Sequence, residues 1–238
     1  MLGRRHTQPD MAAIEREERR IRHFAQGLNF YKLFWIFFIG SFLGVVVETI
    51  WCILTRGQYE SRVGLLFGPF NLVYGFGALA LAIGLYWLRT KRDALILLGG
   101  AVIGSGVEYV CSWVQERMFG SHSWDYSQMP LNVNGRISLL YSLFWGFLAI
   151  WWVKDIFPLL SRWILKIPNR VGKPLTWALC LFMLVNTVMS GYAVTRWVER
   201  QQDLPATDEM EEWMDAHYPD NRMKKIYANM EFIVEDEA

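Results

Sequence analysis

Apolar residues fall in five blocks along the chain, at about 33–55, 63–88, 94–115, 137–153 and 174–195, with short polar stretches between them. Crossing the hydrocarbon of a bilayer takes ~20 consecutive, mostly apolar residues. Each block therefore predicts a transmembrane helix. The expected fold class is all-α, a polytopic membrane helix bundle of about five transmembrane helices. The polar stretches divide the rest. Residues 1–29 predict a basic, amphipathic N-terminal segment with a solvated helix, and 30–160 a four-span core. Residues 161–195 predict a connector, holding a short interfacial helix between Pro158 and Pro168, and the fifth span. Residues 196–238 form an acidic tail with one or two short helices, capped by Thr207 or Asp208. The second block opens on Gly64, Gly68 and Pro69. Gly-Pro can begin, break or kink a helix there, and backbone groups freed inside a membrane need a protein or water partner. Asn186, Thr187 and Ser190 supply polar groups inside the fifth block.

One pattern occurs twice. Gly40-x3-Gly44-x3-Glu48 lies in the first block and Gly100-x3-Gly104-x3-Glu108 in the third, offset by 60 residues at all three positions. Steps of four keep the three residues on one helix face. Small-xxx-small faces let membrane helices approach closely. The spacing predicts a parallel repeat two helices long, with one carboxylate at the end of each smooth stripe.

Composition adds little beyond this. Net charge is +1, so no global field points to nucleic acid. Its distribution is more informative. The N-terminal segment with Lys32, the turn between the second and third spans, and the connection between the fourth and fifth hold fifteen basic residues, against four in the other two loops. The positive-inside rule then predicts a cytoplasmic N-terminus and an external acidic tail, in a cell (plasma or inner) membrane. The polar N-terminus predicts a signal-anchor rather than a cleaved signal peptide. Cys52, Cys111 and Cys180 lie in apolar blocks without metal-type spacing and read as small core residues. No metal site, cofactor, Walker A loop or catalytic triad is expected. Trp124, Tyr126, Trp145, Trp151 and Trp152 read as interface anchors.

The two glutamates carry the candidate chemistry. A carboxylate deep in a membrane costs a few kcal/mol on insertion scales, so each should face protein or water. Glu48 and Glu108 would lie roughly 10 Å below the external boundary at 1.5 Å per residue. Arg62, Arg136 and Arg196 are available at that end, and Asp125 lies in the loop nearby. Either the glutamates are packing groups, neutral or paired with arginine, or they line an outward-open polar cavity for an ion, a proton or a lipid headgroup.

Several motifs in order resemble a known family. These are Ser61-Arg-Val-Gly-Leu-Leu-Phe-Gly-Pro-Phe-Asn-Leu-Val-Tyr-Gly-Phe-Gly77, Glu108-Tyr-Val-Cys-Ser112, Trp124-Asp-Tyr-Ser127 and Asn134-Gly-Arg-Ile-Ser138. Together they resemble the bacterial membrane proteins described as putative ABC-transporter type IV, or permease-like, over about residues 33–160. Arg196-x3-Arg200 and Tyr218-Pro-Asp220 are similar to the family's C-terminal extension. Leu72 departs from it, since members often carry proline there. The resemblance implies transport and adds Tyr74 and Asn134 to the candidate substrate- or ion-binding set. The expected function is a transporter or permease-type subunit in the lipid bilayer, with a separate ATPase subunit or self-association. The alternatives are a membrane scaffold or regulator, and a membrane enzyme acting on a lipid or cell-envelope precursor.

Overall fold

The computed structural model describes residues 11–232. Residues 1–10 and 233–238, with the parts of the N-terminal and tail expectations that fall on them, lie outside the described residues. The chain is a helix bundle. Helix α1 (Met11–Arg20) precedes α2 (Phe30–Arg56), α3 (Leu72–Gly84), α4 (Asp93–Phe119) and α5 (Leu139–Trp151). A π-helical turn (Trp152–Ile156) joins α5 to α6 (Phe157–Leu165), and α7 (Asn169–Gln201), α8 (Glu209–His217) and α9 (Asp220–Ile226) follow. Four helical stretches are long and apolar enough to cross a membrane: α2, α4, the continuous α5–α6 rod and α7. Large apolar side chains such as Trp51, Leu54, Leu98, Val102, Leu181 and Val188 stay exposed around them, as lipid-facing surface requires.

Helices α2 and α4 are built alike. Each has 27 residues and ends on a left-handed glycine, Gly57 or Gly120, whose N–H closes the last turn onto Ile53 O or Glu116 O. Contacts place the start of α2 beside the first half of α7 and the end of α4 beside its second half. Near their starts, Trp35 Nε1 of α2 donates to Thr176 Oγ1 of α7 over 3.0 Å, and Phe30 stacks on Trp177. At the end of α4, Phe119 lies against Gly191, ten residues before the end of α7.

The second span takes the broken form that Gly68-Pro69 allows. Its helix is α3, 13 residues or about 20 Å long. Residues 57–71 enter the bundle without helical structure, turning at Gly68 (φ 78°) and Pro69. Their backbone groups find partners inside the protein. Asn186 takes the Phe67 N–H on Oδ1 and donates Nδ2 to Phe67 O, while Ser190 Oγ accepts from Leu66 N. Asn71 caps α3 and donates to Arg62 O. Leu72 is the first residue of α3, the one helical position where proline is welcome. A proline at this point would therefore cause no kink.

The fourth span also runs on past its expected end. Pro158 has no N–H to give and would break a regular ladder, and the wide π turn just before it lets α5 continue into α6. The expected separate interfacial helix is thus the end of this rod. Helix α7 begins at Asn169, five residues before Pro174.

The charge-rich segments settle at opposite ends. At the end holding the starts of α2 and α7, α1 is not simply a solvated face. Its Glu18 pairs with Lys32 in a buried contact, and Glu15 binds Arg89. At the other end the tail folds back on α7. Asp208 caps α8, and Trp197, Met214, Tyr218, Met223 and Tyr227 form a small core. Strand β4 (Glu231–Phe232) pairs antiparallel with β1 (Ser121–His122), just after α4. A two-residue ladder, β2 (Asn132–Val133) with β3 (Ile137–Ser138), closes the loop before α5.

Candidate functional site

The glycine stripes are the floor of two matching hairpins, α2–α3 and α4–α5. Gly40 faces Ala78, with an added Cβ 2.6 Å from the Ala78 Cβ, and Gly44 faces the Tyr74 ring. In the second hairpin Gly100 faces Ala149 and Gly104 faces the Trp145 ring. Neither stripe has room for a Cβ. The opposing helices repeat as well. Tyr74-Gly75-Phe76-Gly77-Ala78 and Trp145-Gly146-Phe147-Leu148-Ala149 stand 71 residues apart. Gly75 packs on Phe37 and Gly146 on Leu97, themselves offset by 60. The repeat is therefore two residues-in-register hairpins, each with an aromatic-x3-Ala face seated on Gly-x3-Gly.

One turn beyond each stripe stands its glutamate. Glu108 is buried and fully engaged by two donors: Tyr126 Oη–H to Oε1 at 2.9 Å and Trp145 Nε1–H to Oε2 at 3.3 Å. Glu48 is about one-third exposed, with Oε1 3.6 Å from Arg62 Nη1 and a shielded Oε2 that has no hydrogen-bond partner among the described residues. Tyr126 belongs to the Glu108 side of the site. It stacks on Tyr141 with centroids 4.6 Å apart, and burial, then the Glu108 charge and hydrogen bond, then Tyr141 and Glu48 hold its phenol well above the ordinary value. Glu108 is the glutamate that engages this hydroxyl, which stays a proton donor across the physiological range.

Of the other expected site residues, Tyr74 is the wall under Gly44, and Arg62 joins the site. Arg62 also binds Glu60 at 3.0 Å and approaches Cys52 Sγ at 3.4 Å, leaving its Nε unpartnered. Arg136 is not beside Glu108. It pairs with Glu116, two turns further along α4, and lies over the Tyr109 ring. Asn134, at φ 54°, donates to Tyr109 Oη. Asp125 is spent on an Asx turn, where Ser127 N and Oγ donate to it and lower its carboxyl. Arg196 is 3% exposed and clamps the tail, binding Asp215, Glu199 and the Leu204 carbonyl.

Tyr126 and Trp145 were expected as interface anchors; their polar atoms instead meet Glu108. For Trp145 a signal was available in the repeated aromatic-Gly-Phe-x-Ala pentapeptide. For Tyr126 there was none, because the loop that returns it to α4 has no periodicity. No cluster of metal-binding side chains occurs among the described residues.

A family model described as putative ABC-transporter type IV matches residues 35–191, which spans both hairpins, the re-entrant segment and most of α7. No curated protein and no solved structure matches the chain.

Proposed function

The chain belongs to the putative ABC-transporter type IV family, and from that premise we propose that it is a transporter subunit in which Glu48, Tyr126 and Glu108 handle a cation or a proton. The observation that carries this reading is the use of one position twice. Two hairpins with the same glycine stripe each present a glutamate one turn past it, one engaged by Tyr126 and Trp145 and the other facing Arg62. Packing alone would be served by any small neutral side chain one turn past Gly44, without the cost of placing a carboxylate in a membrane.

The two carboxylates are set up for different tasks. Glu108 is held by a phenol and an indole and is the fixed member. Glu48 has a free acceptor, partial exposure and a single long contact to Arg62, so it is the member able to take and release a positive charge. Arg62 would compete with that charge for Glu48, which favours release. The chain has no nucleotide-binding loop, so ATP-driven transport would use a separate ATPase.

The test is purification from native membranes in mild detergent, with quantitative mass spectrometry of what accompanies the chain. The reading expects an ATPase at fixed stoichiometry and ATP hydrolysis by the recovered complex. Recovery of the chain alone, or only with itself, would contradict it.

A further inference from the structure

We propose that a basic hollow at the α1 end of the bundle binds the phosphate group of an anionic phospholipid. The hollow is an open depression of about 690 Å³ lined by the exposed Arg19, Arg22 and Lys173 and by Asn29, Tyr31 and Asn169, among others. None of its lining residues is acidic. Arg19, Arg22 and Lys173 form no ion pair among the described residues, unlike Arg89 and Lys154 at the same end, which are held by Glu15 and Asp93. Lys173 has only the Tyr31 ring, 5.9 Å away.

The floor is fixed rather than loose. Asn169 Oδ1 accepts from Phe24 N at 2.8 Å, and Asn29 Nδ2 donates to Phe24 O at 2.7 Å. Gly172 has no room for a Cβ beneath the Phe24 ring. Asn29 caps α2 and Asn169 begins α7, so two long helices point their positive ends at this hollow; α7 does so without a side-chain cap. Three unpaired cations and two helix starts around a cavity without a carboxylate match a phosphate in charge.

Position selects a lipid as its carrier. The first apolar residue of α2, Phe30, stacks on Trp177 at 5.4 Å, and both are exposed at the level where lipid-facing surface begins. A headgroup in the hollow would leave its acyl chains against this aromatic pair, in the manner of basic headgroup pockets between membrane helices.

The proposal is independent of the transport reading. It is tested on the full chain in detergent micelles doped with phosphatidylglycerol or phosphatidylcholine, with inorganic phosphate as a third arm, by native mass spectrometry and thermal shift. Phosphatidylglycerol should be retained and should raise Tm, and phosphatidylcholine should do neither. Joint substitution Arg19→Gln, Arg22→Gln and Lys173→Gln should weaken phosphatidylglycerol binding roughly tenfold to a hundredfold, given the charge-assisted hydrogen bonds these side chains would make to the phosphate. Neutralising Lys91, Arg92 and Lys166, at the same end but outside the hollow and so beyond hydrogen-bond reach of a phosphate in it, should leave binding within about twofold. Stabilisation by phosphate alone, lost in the hollow variant, would support the anion site and assign it a soluble ligand. Equal binding of both lipids, or equal losses in the two triple variants, would overturn it.

Discussion

At the level of single residues, Glu48 and Glu108 are equivalent in sequence but differ in surroundings, and their substitutions should differ accordingly. In Glu108→Gln, whichever way the amide turns, either Tyr126 O–H or Trp145 Nε1–H loses its acceptor. An unsatisfied buried donor costs about 1–3 kcal/mol, which a denaturation midpoint should register. Glu48→Gln keeps an oxygen toward Arg62, which retains Glu60, and it should cost less than about 1 kcal/mol. Equal destabilisation by the two variants would mean that both serve packing alike. The sequence made Glu48 and the small-residue stripes legible, because each follows from a fixed step along one helix, and Arg62 legible from its place at the same end of the span. It did not make legible that Arg136 passes Glu108 by and reaches Glu116. That choice depends on the β2–β3 ladder and the loop before it, whose path no periodic pattern encodes.

Among the elements, the hairpins depend on backbone approach, and this can be measured glycine by glycine. Gly44→Ala and Gly104→Ala would drive a Cβ into the Tyr74 and Trp145 rings and should each destabilise by about 1–3 kcal/mol, typical of overpacking. Gly106→Ala meets open space and should be neutral or stabilising by up to ~1 kcal/mol, since alanine is the better helix former. A thermal shift series on the three variants checks both signs. The break before α3 was legible from Gly68-Pro69, as was the need for partners within the membrane. That Asn186 and Ser190 meet it was not, since residues 119 and 124 positions apart carry no shared local signal. Asn186→Ala would leave the Phe67 N–H and C=O unpaired at once, and hydrogen exchange at residues 65–71 should rise strongly while α4 and α5 stay protected. Uniform exchange across the bundle would show that this contact is dispensable.

For the molecule as a whole, the polar segments sort into two ends. Helix α1, the α3–α4 turn and the α6–α7 connection gather at one, while the glutamates, the β1–β4 pair and the folded tail gather at the other. The charge asymmetry made this sorting legible, but the tail's close packing on α7 through Arg196, Arg200 and Asp215 was hidden in an acidic composition. In a cysteine-free background, Gln128→Cys and Glu212→Cys should be labelled by an impermeant reagent from outside intact cells, and Lys91→Cys should not. The reverse pattern would turn the glutamate end toward the cytoplasm. The account rests on Glu48 acting in transport rather than in packing. The most direct test purifies the Glu48→Gln and unaltered chains, each with the ATPase proposed to accompany it, and reads ATP hydrolysis and Tm on the same preparation. The account predicts a loss of coupled hydrolysis of at least about tenfold with Tm within roughly 2–4 °C, the shift expected for a change of no more than ~1 kcal/mol in a chain of this size. Full hydrolysis in the variant, or a fall in activity matched by a fall in Tm, would contradict it.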